Sequence, residues 1–163
     1  MADVGPLTTD QRKPAVSIFI VQPVPDEMIE HVLWGLEEEG IPYEIVTLES
    51  GVAEVMAKQA ADGSQLNVGI GINCAEEKAV LHHHDLPEEK PLFSVGLKDA
   101  RALVRLRILG GNAARLVKGE PLIFSDEPLL NARARSSLDS SSTEPDDLVK
   151  IITKLVMELL DNK

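Results

Sequence analysis

The sequence predicts an α/β protein: a three-layer α/β/α sandwich with a mostly parallel, mixed sheet of about five strands, plus a C-terminal helix. Short apolar runs rich in β-branched residues alternate with helical segments. The first strand, helix and strand fit within about thirty residues, as a right-handed parallel crossover does. With 163 residues, of which 44% are hydrophobic, the chain can bury one substantial core but is short for two full domains.

Five elements are predicted in the first half of the domain. In chain order they are a strand over 15–21, a helix over 26–39, a strand over 43–48, a weaker helix over 51–61 and a strand over 68–72. Pro23 and Pro25 end the first strand, and Gly40 and Pro42 end the first helix. The apolar strands are typical of a sheet that is covered on both faces.

The second half of the domain is predicted to continue the sheet and close with a helix. A turn at 74–77 precedes a strand over 78–83 that returns antiparallel, and another strand follows over 92–95. A helix is predicted to begin near Asp99 and end at Leu109, because Gly110 and Gly111 break it. Asn112 is then expected to cap a further turn or two that ends at Lys118.

Composition divides the chain into four parts. Residues 1–14 are predicted to be a disordered tail, and 15–124 form the α/β domain. Residues 125–143 are rich in serine, which is the composition of a linker. Residues 144–163 are predicted to form an amphipathic helix because their leucines and isoleucines recur at helical spacing. Whether that helix packs on its own domain or on another subunit stays open.

Charge and cysteine content exclude several classes of protein. The 27 acidic and 16 basic side chains give a net charge of −11, which disfavours nucleic acid and anionic membranes as partners. Cys74 is the single cysteine, so no intrachain disulfide forms. The sequence contains no apolar run of the roughly 18 to 20 residues that a bilayer requires, and residues 1–13 lack a signal-peptide core. We therefore expect a cytoplasmic protein.

The first predicted helix has two distinct faces. At about 100° per residue, one stripe is formed by Ile29, Val32, Leu33 and Leu36 and is expected to face the core. His31, Trp34, Gly35 and Glu38 also recur at helical spacing and cluster roughly opposite. A tryptophan beside a glycine on this second face predicts a partner interface. The alternative is that another layer of the same chain, such as the C-terminal helix, covers Trp34.

Several polar motifs are candidate sites of chemistry. Glu37, Glu38 and Glu39 are expected to be solvated, or one of them completes a Mg²⁺ or Ca²⁺ site with a partner. On a strand, His82 and His84 share a face and could bind a metal, but surface or edge-strand histidines are the better interpretation. A basic cluster is expected to be a solvated helix face or to meet an acidic partner; it comprises Arg101, Arg105, Arg107, Arg115 and Lys118.

Glycine and cysteine motifs point away from catalysis. Gly69 and Gly71 lack the third glycine and the acidic residue of a dinucleotide-binding turn, so they are expected to admit a neighbouring helix or backbone. Cys74 lies near Glu76 and Glu77 with only Lys78 to lower its pKa, so it is not expected to be a nucleophile. The sequence lacks the Gly-x-x-x-x-Gly-Lys-Ser/Thr loop that binds the phosphates of ATP, so this chain is not expected to hydrolyse ATP.

Three ordered blocks carry a family resemblance: residues 34–42 (WGLEEEGIP), 68–92 with the His82–His84 run, and 106–122 (LRILGGNAARLVKGEPL). Together they resemble the family that contains the small subunits of diol and glycerol dehydratase-reactivating factors and the dehydratase medium subunits. The family's single histidine is expected at about His83. The resemblance covers about 15–124.

The resemblance implies a chaperone-like, non-catalytic subunit that binds no cofactor alone. It would act beside a large ATP- or ADP-binding subunit, mimicking the dehydratase medium subunit while damaged cobalamin leaves the B12-dependent dehydratase. Glu38 would reach a Mg²⁺ or Ca²⁺ ion completed by the large subunit. These roles are compatible with a bacterial microcompartment. Without its partner, two copies could pair through the Trp34 face as a homodimer.

The segment after Phe124 leaves a second interpretation open. It extends beyond a typical small reactivase subunit, and residues 131–138 weakly resemble the dehydratase medium subunit. In that case the chain would be a structural part of the dehydratase itself. The compact 51–67 region favours the reactivase subunit.

Overall fold

The computed structural model describes residues 13–124, 152–154 and 156–158. The chain divides into two units, Met1–Phe124 and Ser125–Lys163. In the second unit, residues 152–154 and 156–158 are helical. Most of the predicted tail, the linker and the rest of the predicted C-terminal helix lie outside the described residues. None of the described helices has the length and apolar character needed to cross a membrane.

Residues 13–124 form a mixed sheet with helices on both faces. In chain order the elements are β1 (Val16–Val21), α1 (Asp26–Glu38), β2 (Tyr43–Leu48), α2 (Ala53–Gly63), β3 (Val68–Asn73), β4 (Lys78–His83), β5 (Phe93–Gly96) and α3 (Ala102–Lys118). The strand order is β2-β1-β3-β4-β5. β1 is parallel to β2 and β3, whereas β4 is antiparallel to both of its neighbours. The predicted mixed, mostly parallel sheet is therefore confirmed.

Successive residues of β3 face opposite sides of the sheet, and a different layer of helices covers each side. Val68, Ile70 and Ile72 are fully buried in the main core, together with side chains of α1 and α3. Gly69 and Gly71 point to the opposite face, where α2 lies. A β-carbon on Gly69 would lie 2.1 Å from the Ala61 nitrogen, and one on Gly71 would lie 2.3 Å from the Ala53 carbonyl oxygen. The expectation that these glycines admit a helix is confirmed.

α1 and α3 cross with their backbones in direct contact. A β-carbon on Gly110 would lie 2.0 Å from the Val32 carbonyl oxygen. α3 runs without interruption from Ala102 to Lys118, so the prediction that Gly110 and Gly111 break it is wrong. The close approach to α1 compensates for the low helix propensity of glycine, which acts here as a spacer rather than as a stop signal.

Asn112 ties the segment after α3 back to the helix. Its side-chain nitrogen donates to the Ile123 carbonyl oxygen at 2.7 Å, and its side-chain oxygen accepts from the Ile123 nitrogen at 2.7 Å. Asn112 is 1% exposed. It therefore fixes the end of the domain instead of capping a new helix, which corrects the prediction.

Candidate partner interface

The two predicted faces of α1 exist, with one exception. Val32 and Leu36 are buried in the core, whereas Trp34 is 41% exposed. Gly35 was predicted to lie beside Trp34 on the outward face, and that placement is wrong. A β-carbon on Gly35 would lie 2.1 Å from the Arg107 carbonyl oxygen, so this residue faces α3. The helical wheel alone could not show that a second helix covers this flank of α1.

His31 and Trp34 form one aromatic surface on α1. Their ring centroids are 4.6 Å apart and the rings are inclined by 49°. The His31 Nδ1 lies 2.8 Å from the Glu27 carbonyl oxygen one turn earlier, which orients the imidazole. A large, pre-oriented aromatic side chain with its indole partly in solvent is typical of an anchor for a protein partner. We call His31, Trp34 and Glu38 the Trp34 surface.

Glu38 is paired within the chain. The Arg107 guanidinium contacts both carboxylate oxygens of Glu38, and Arg107 Nε lies 3.3 Å from Glu38 Oε2. The Glu38 side chain remains 47% exposed. Its carboxylate is therefore accessible, although an arginine of α3 already binds it.

The other two carboxylates of the acidic run are also engaged. Lys118 donates to Glu39 at 2.6 Å and Arg115 lies 3.3 Å away. The hydrogen bond from Lys118 and the neighbouring positive charges lower the pKa of Glu39 against the opposing effect of burial. Tyr43 donates to Glu37 at 3.0 Å. That bond, with burial, raises the pKa of Tyr43. The expectation that the run is simply solvated is thus corrected.

The basic cluster is largely used inside the domain. Arg107, Arg115 and Lys118 pair with the carboxylates at the end of α1. Arg105 pairs with Asp99 at 2.5 Å. The pairs of Arg107, Arg115 and Lys118 join the end of α1 to α3, and that of Arg105 lies at the start of α3. These residues are therefore neither a bare solvated face nor an unpaired basic patch.

Glu38 has the chemistry for a shared cation site. Across the parts of the chain that the structure describes, no three His, Cys, Asp or Glu side chains are placed to hold a metal ion together. A carboxylate oxygen is nevertheless the ligand type that Mg²⁺ and Ca²⁺ prefer. The donor set therefore fits a cation only if another chain supplies the remaining ligands.

The histidine run does not form a metal site. His82 is fully buried, and its two ring nitrogens lie 3.0 Å from the His83 carbonyl oxygen and 3.3 Å from that of Glu88. His84 lies beyond the end of β4, with its Nδ1 2.8 Å from Asp62. The hypothesis that His82 and His84 share a metal is therefore wrong. So is the interpretation of His82 as a surface or edge-strand residue, because β4 lies between β3 and β5.

Cys74 lines a cavity that the sequence did not reveal. The cavity has a volume of about 480 Å³ and is also lined by Pro23, Met28 and Leu97. Burial raises the pKa of the Cys74 thiol, which agrees with the expectation that it is not a nucleophile. Its walls come from three separate stretches of the chain, residues 23–28, 74–77 and 97–98, so no local motif could have indicated it.

A second unpredicted feature is the carboxylate at the start of α2. Glu76 accepts a hydrogen bond from the Ala53 nitrogen at 2.7 Å. Asn73 supports the same loop by donating to the Gly51 carbonyl oxygen at 2.7 Å. Glu76 thus caps a helix that begins 23 residues earlier in the chain, a distance at which sequence rules for helix caps give no signal.

Sheet order, helical layers and the exposed Trp34 surface define the class of protein: a small three-layer α/β domain with a mixed sheet and a tryptophan presented to solvent. A family model described as the dehydratase medium subunit matches residues 13–123. The chain belongs to that family.

Relatives within the family are reactivating-factor subunits. The chain is 40% identical over 109 residues to the propanediol dehydratase-reactivating factor small subunit of Citrobacter freundii, covering 66% of this chain and 89% of the relative. It is also 40% identical over 109 residues to the diol dehydratase-reactivating factor small subunit of Klebsiella michiganensis, covering 66% and 82%.

A solved structure has the same fold. It is a diol dehydratase-reactivating factor complexed with ADP and Mg²⁺, and one of its chains is 35% identical with a TM-score of 0.63. The match covers 69% of this chain and 100% of the other. The predicted resemblance to small reactivase subunits is confirmed, and these names favour it over the medium-subunit alternative.

Proposed function

We propose that this chain is the small subunit of a reactivating factor for a B12-dependent diol or glycerol dehydratase. It acts in the cytoplasm beside a large ATP-binding subunit and assists the exchange of damaged cobalamin. It does so by taking the place of the dehydratase's own medium subunit. The observation that carries this proposal is a domain that matches the medium-subunit family while its relatives are named reactivating-factor small subunits.

The Trp34 surface is the proposed contact with the large subunit. Trp34 supplies exposed apolar area, and the tilted His31 ring packs against it. Glu38 lies on the next turn of the same helix. Tryptophan in such a setting is enriched among residues that dominate binding energy.

Glu38 is the proposed ligand to a Mg²⁺ or Ca²⁺ ion at this contact. When bound, the cation would neutralise charge between the two chains. Glu38 would supply one oxygen and would leave Arg107 in order to do so. Its accessible carboxylate supports this role, as does the weakness expected of an exposed ion pair, about 0 to 1 kcal/mol.

The chain is proposed to contribute binding rather than catalysis. Two groups that could react have structural surroundings: the half-buried Cys74 thiol has a raised pKa, and the buried His82 ring lies between two backbone carbonyl groups. ATP or ADP belongs to the large subunit and cobalamin to the target enzyme.

Reconstitution tests this proposal. The full chain is mixed with a purified reactivase large subunit, Mg²⁺ and ADP, and binding is measured by calorimetry for the natural chain and for Trp34→Ala, Glu38→Gln and Val52→Ala. Val52 is 48% exposed at the start of α2 and serves as the matched apolar control. We expect Trp34→Ala and Glu38→Gln to weaken binding at least about tenfold, which is a loss of 1.4 kcal/mol, and Val52→Ala to have no effect.

An activity assay decides whether the chain is a reactivase small subunit or a dehydratase medium subunit. With the large subunit, ATP, Mg²⁺ and fresh cobalamin, the chain should restore an inactivated dehydratase. Stable assembly with the dehydratase large subunit into an active enzyme, without binding to the ATP-binding subunit, would instead make it the medium subunit. Failure to bind either large subunit would refute both roles.

A further inference from the structure

β2 forms one edge of the sheet, with its outer backbone groups unpaired by any other strand of residues 13–124. The Val16 nitrogen donates to the Pro42 carbonyl oxygen at 2.9 Å, so the backbone at residue 42 faces β1. The N–H and C=O groups of successive residues in a strand point to alternate sides. Residues 44, 46 and 48 therefore also face β1, and residues 43, 45 and 47 direct their backbone groups away from the sheet.

The side chains of β2 are also poorly covered. None of its six residues is buried. Ile45 is 40% exposed on the face of α1 and α3, and Val46 is 37% exposed on the face of α2. The strand contains no lysine, arginine or proline, which are the residues that commonly protect an edge from pairing with another chain.

We propose that β2 pairs antiparallel with β2 of a second copy of this chain, about a two-fold axis through Ile45. An axis through Val46 would bring only Ile45 and Thr47, of the outward residues in the strand, opposite each other, which gives about four backbone hydrogen bonds. An axis through Ile45 brings all three outward residues, Tyr43, Ile45 and Thr47, into hydrogen-bonded pairs. Tyr43 then lies opposite Thr47 of the second copy, and about six backbone hydrogen bonds form.

In this register no two like charges of the paired β2 strands lie opposite each other. Glu44 lies opposite Val46 of the second copy, so no carboxylate on the strand opposes another. Ser17 also donates to Glu44 at 2.6 Å, which holds that carboxylate on its own sheet. Each chain carries a net charge of −11, so long-range repulsion opposes association. Added salt should therefore strengthen the dimer by screening that repulsion.

Sedimentation velocity of the full chain over a dilution series, at low and high salt, tests the proposal. The natural chain should form dimers that tighten with salt. Ile45→Lys places two ammonium groups opposite each other and should raise the dissociation constant at least about tenfold. Ile45→Pro removes an outward N–H without touching the bonds to β1, so it should weaken the dimer in the same way. Circular dichroism checks that both variants fold.

Trp34→Ala is the control that separates this edge from the Trp34 surface. It should leave the dimer unchanged while weakening the large-subunit complex, so the two proposals can fail independently. In a Cys74→Ala background, Ile45→Cys should cross-link the dimer on oxidation more readily than Val46→Cys. A chain that is monomeric throughout, a dimer that survives both Ile45 substitutions, or a dimer lost with Trp34→Ala would overturn the β2 pairing.

Discussion

Arg107 of α3 binds Glu38 of α1 through its guanidinium group, so the carboxylate proposed to meet a cation at the partner interface already has a positive neighbour. Both side chains are more than a third exposed, at 39% and 47% respectively. Water and salt screen such a pair, so separating it costs little. At the proposed interface Arg107 would therefore compete with a divalent cation for the Glu38 carboxylate.

Removing the competitor should favour the complex. Arg107→Gln should leave binding to the Mg²⁺- and ADP-loaded large subunit equal or tighter, whereas Glu38→Gln should weaken it. Unfolding free energy should change by less than about 1 kcal/mol in both variants. Calorimetry with and without Mg²⁺ measures the difference. Equal weakening by the two substitutions would show that the pair itself, rather than Glu38 alone, forms the contact.

A methyl group at the helix crossing should be strongly destabilising. Gly35→Ala would place its β-carbon 2.1 Å from the Arg107 carbonyl oxygen, forcing α1 and α3 apart at a cost of about 1 to 3 kcal/mol or more. Gly111→Ala is the matched control, because its nearest atom, the Gly35 carbonyl oxygen, would be 3.8 Å away. It should be neutral or stabilise by up to about 1 kcal/mol. Urea denaturation that ranks the two variants in the opposite order would contradict this packing.

Glu76 should stabilise the start of α2. Glu76→Ala removes the acceptor of the Ala53 N–H and should lower the unfolding free energy by about 0.5 to 2 kcal/mol, as loss of a helix cap does. Glu89→Ala, at an exposed carboxylate, controls for the change in net charge. Thermal unfolding of both variants measures the effect, and equal melting temperatures would argue against capping.

Acid should weaken the contact between the end of α1 and α3. The pKa of Glu39 is lowered from its ordinary value of 4.5 by its bond to Lys118. The stability that ionised Glu39 contributes to the fold is therefore complete above pH 4.5. It is lost as the pH falls through the lower pKa of the folded state. Lys118→Gln should destabilise the domain at neutral pH and differ little from the natural chain in stronger acid. A difference that is independent of pH would contradict this assignment.

Local patterns accounted for most elements but not for contacts between them. The bounds of β2 and β4 agree with prediction, because apolar, β-branched runs flanked by turn residues indicate strands directly. Gly110 was misjudged, because the same residue that weakens an isolated helix permits a close crossing with α1. His82 was misplaced, because its burial depends on β4 lying inside the sheet and on the Glu88 carbonyl group reaching its ring.

The exposed aromatic of the candidate site was predictable, but its setting was not. Helical spacing identified Trp34 and Glu38 on α1. The pairing of Glu38 with Arg107 joins residues 69 positions apart and depends on the angle at which two helices cross. That angle follows from the glycines of the crossing, whose effect appears only when both helices are present.

Asn112 and Ile123 mark where a shortened protein can be cut. A fragment that ends after Phe124 keeps both hydrogen bonds of this clasp. A fragment that stops at Gly119 leaves the buried Asn112 side-chain amide without its two backbone partners on Ile123. This loss should lower the unfolding free energy by about 1 to 3 kcal/mol. The smallest fragment that retains the stability of the α/β domain should therefore include residues 120–124, although they follow its last helix.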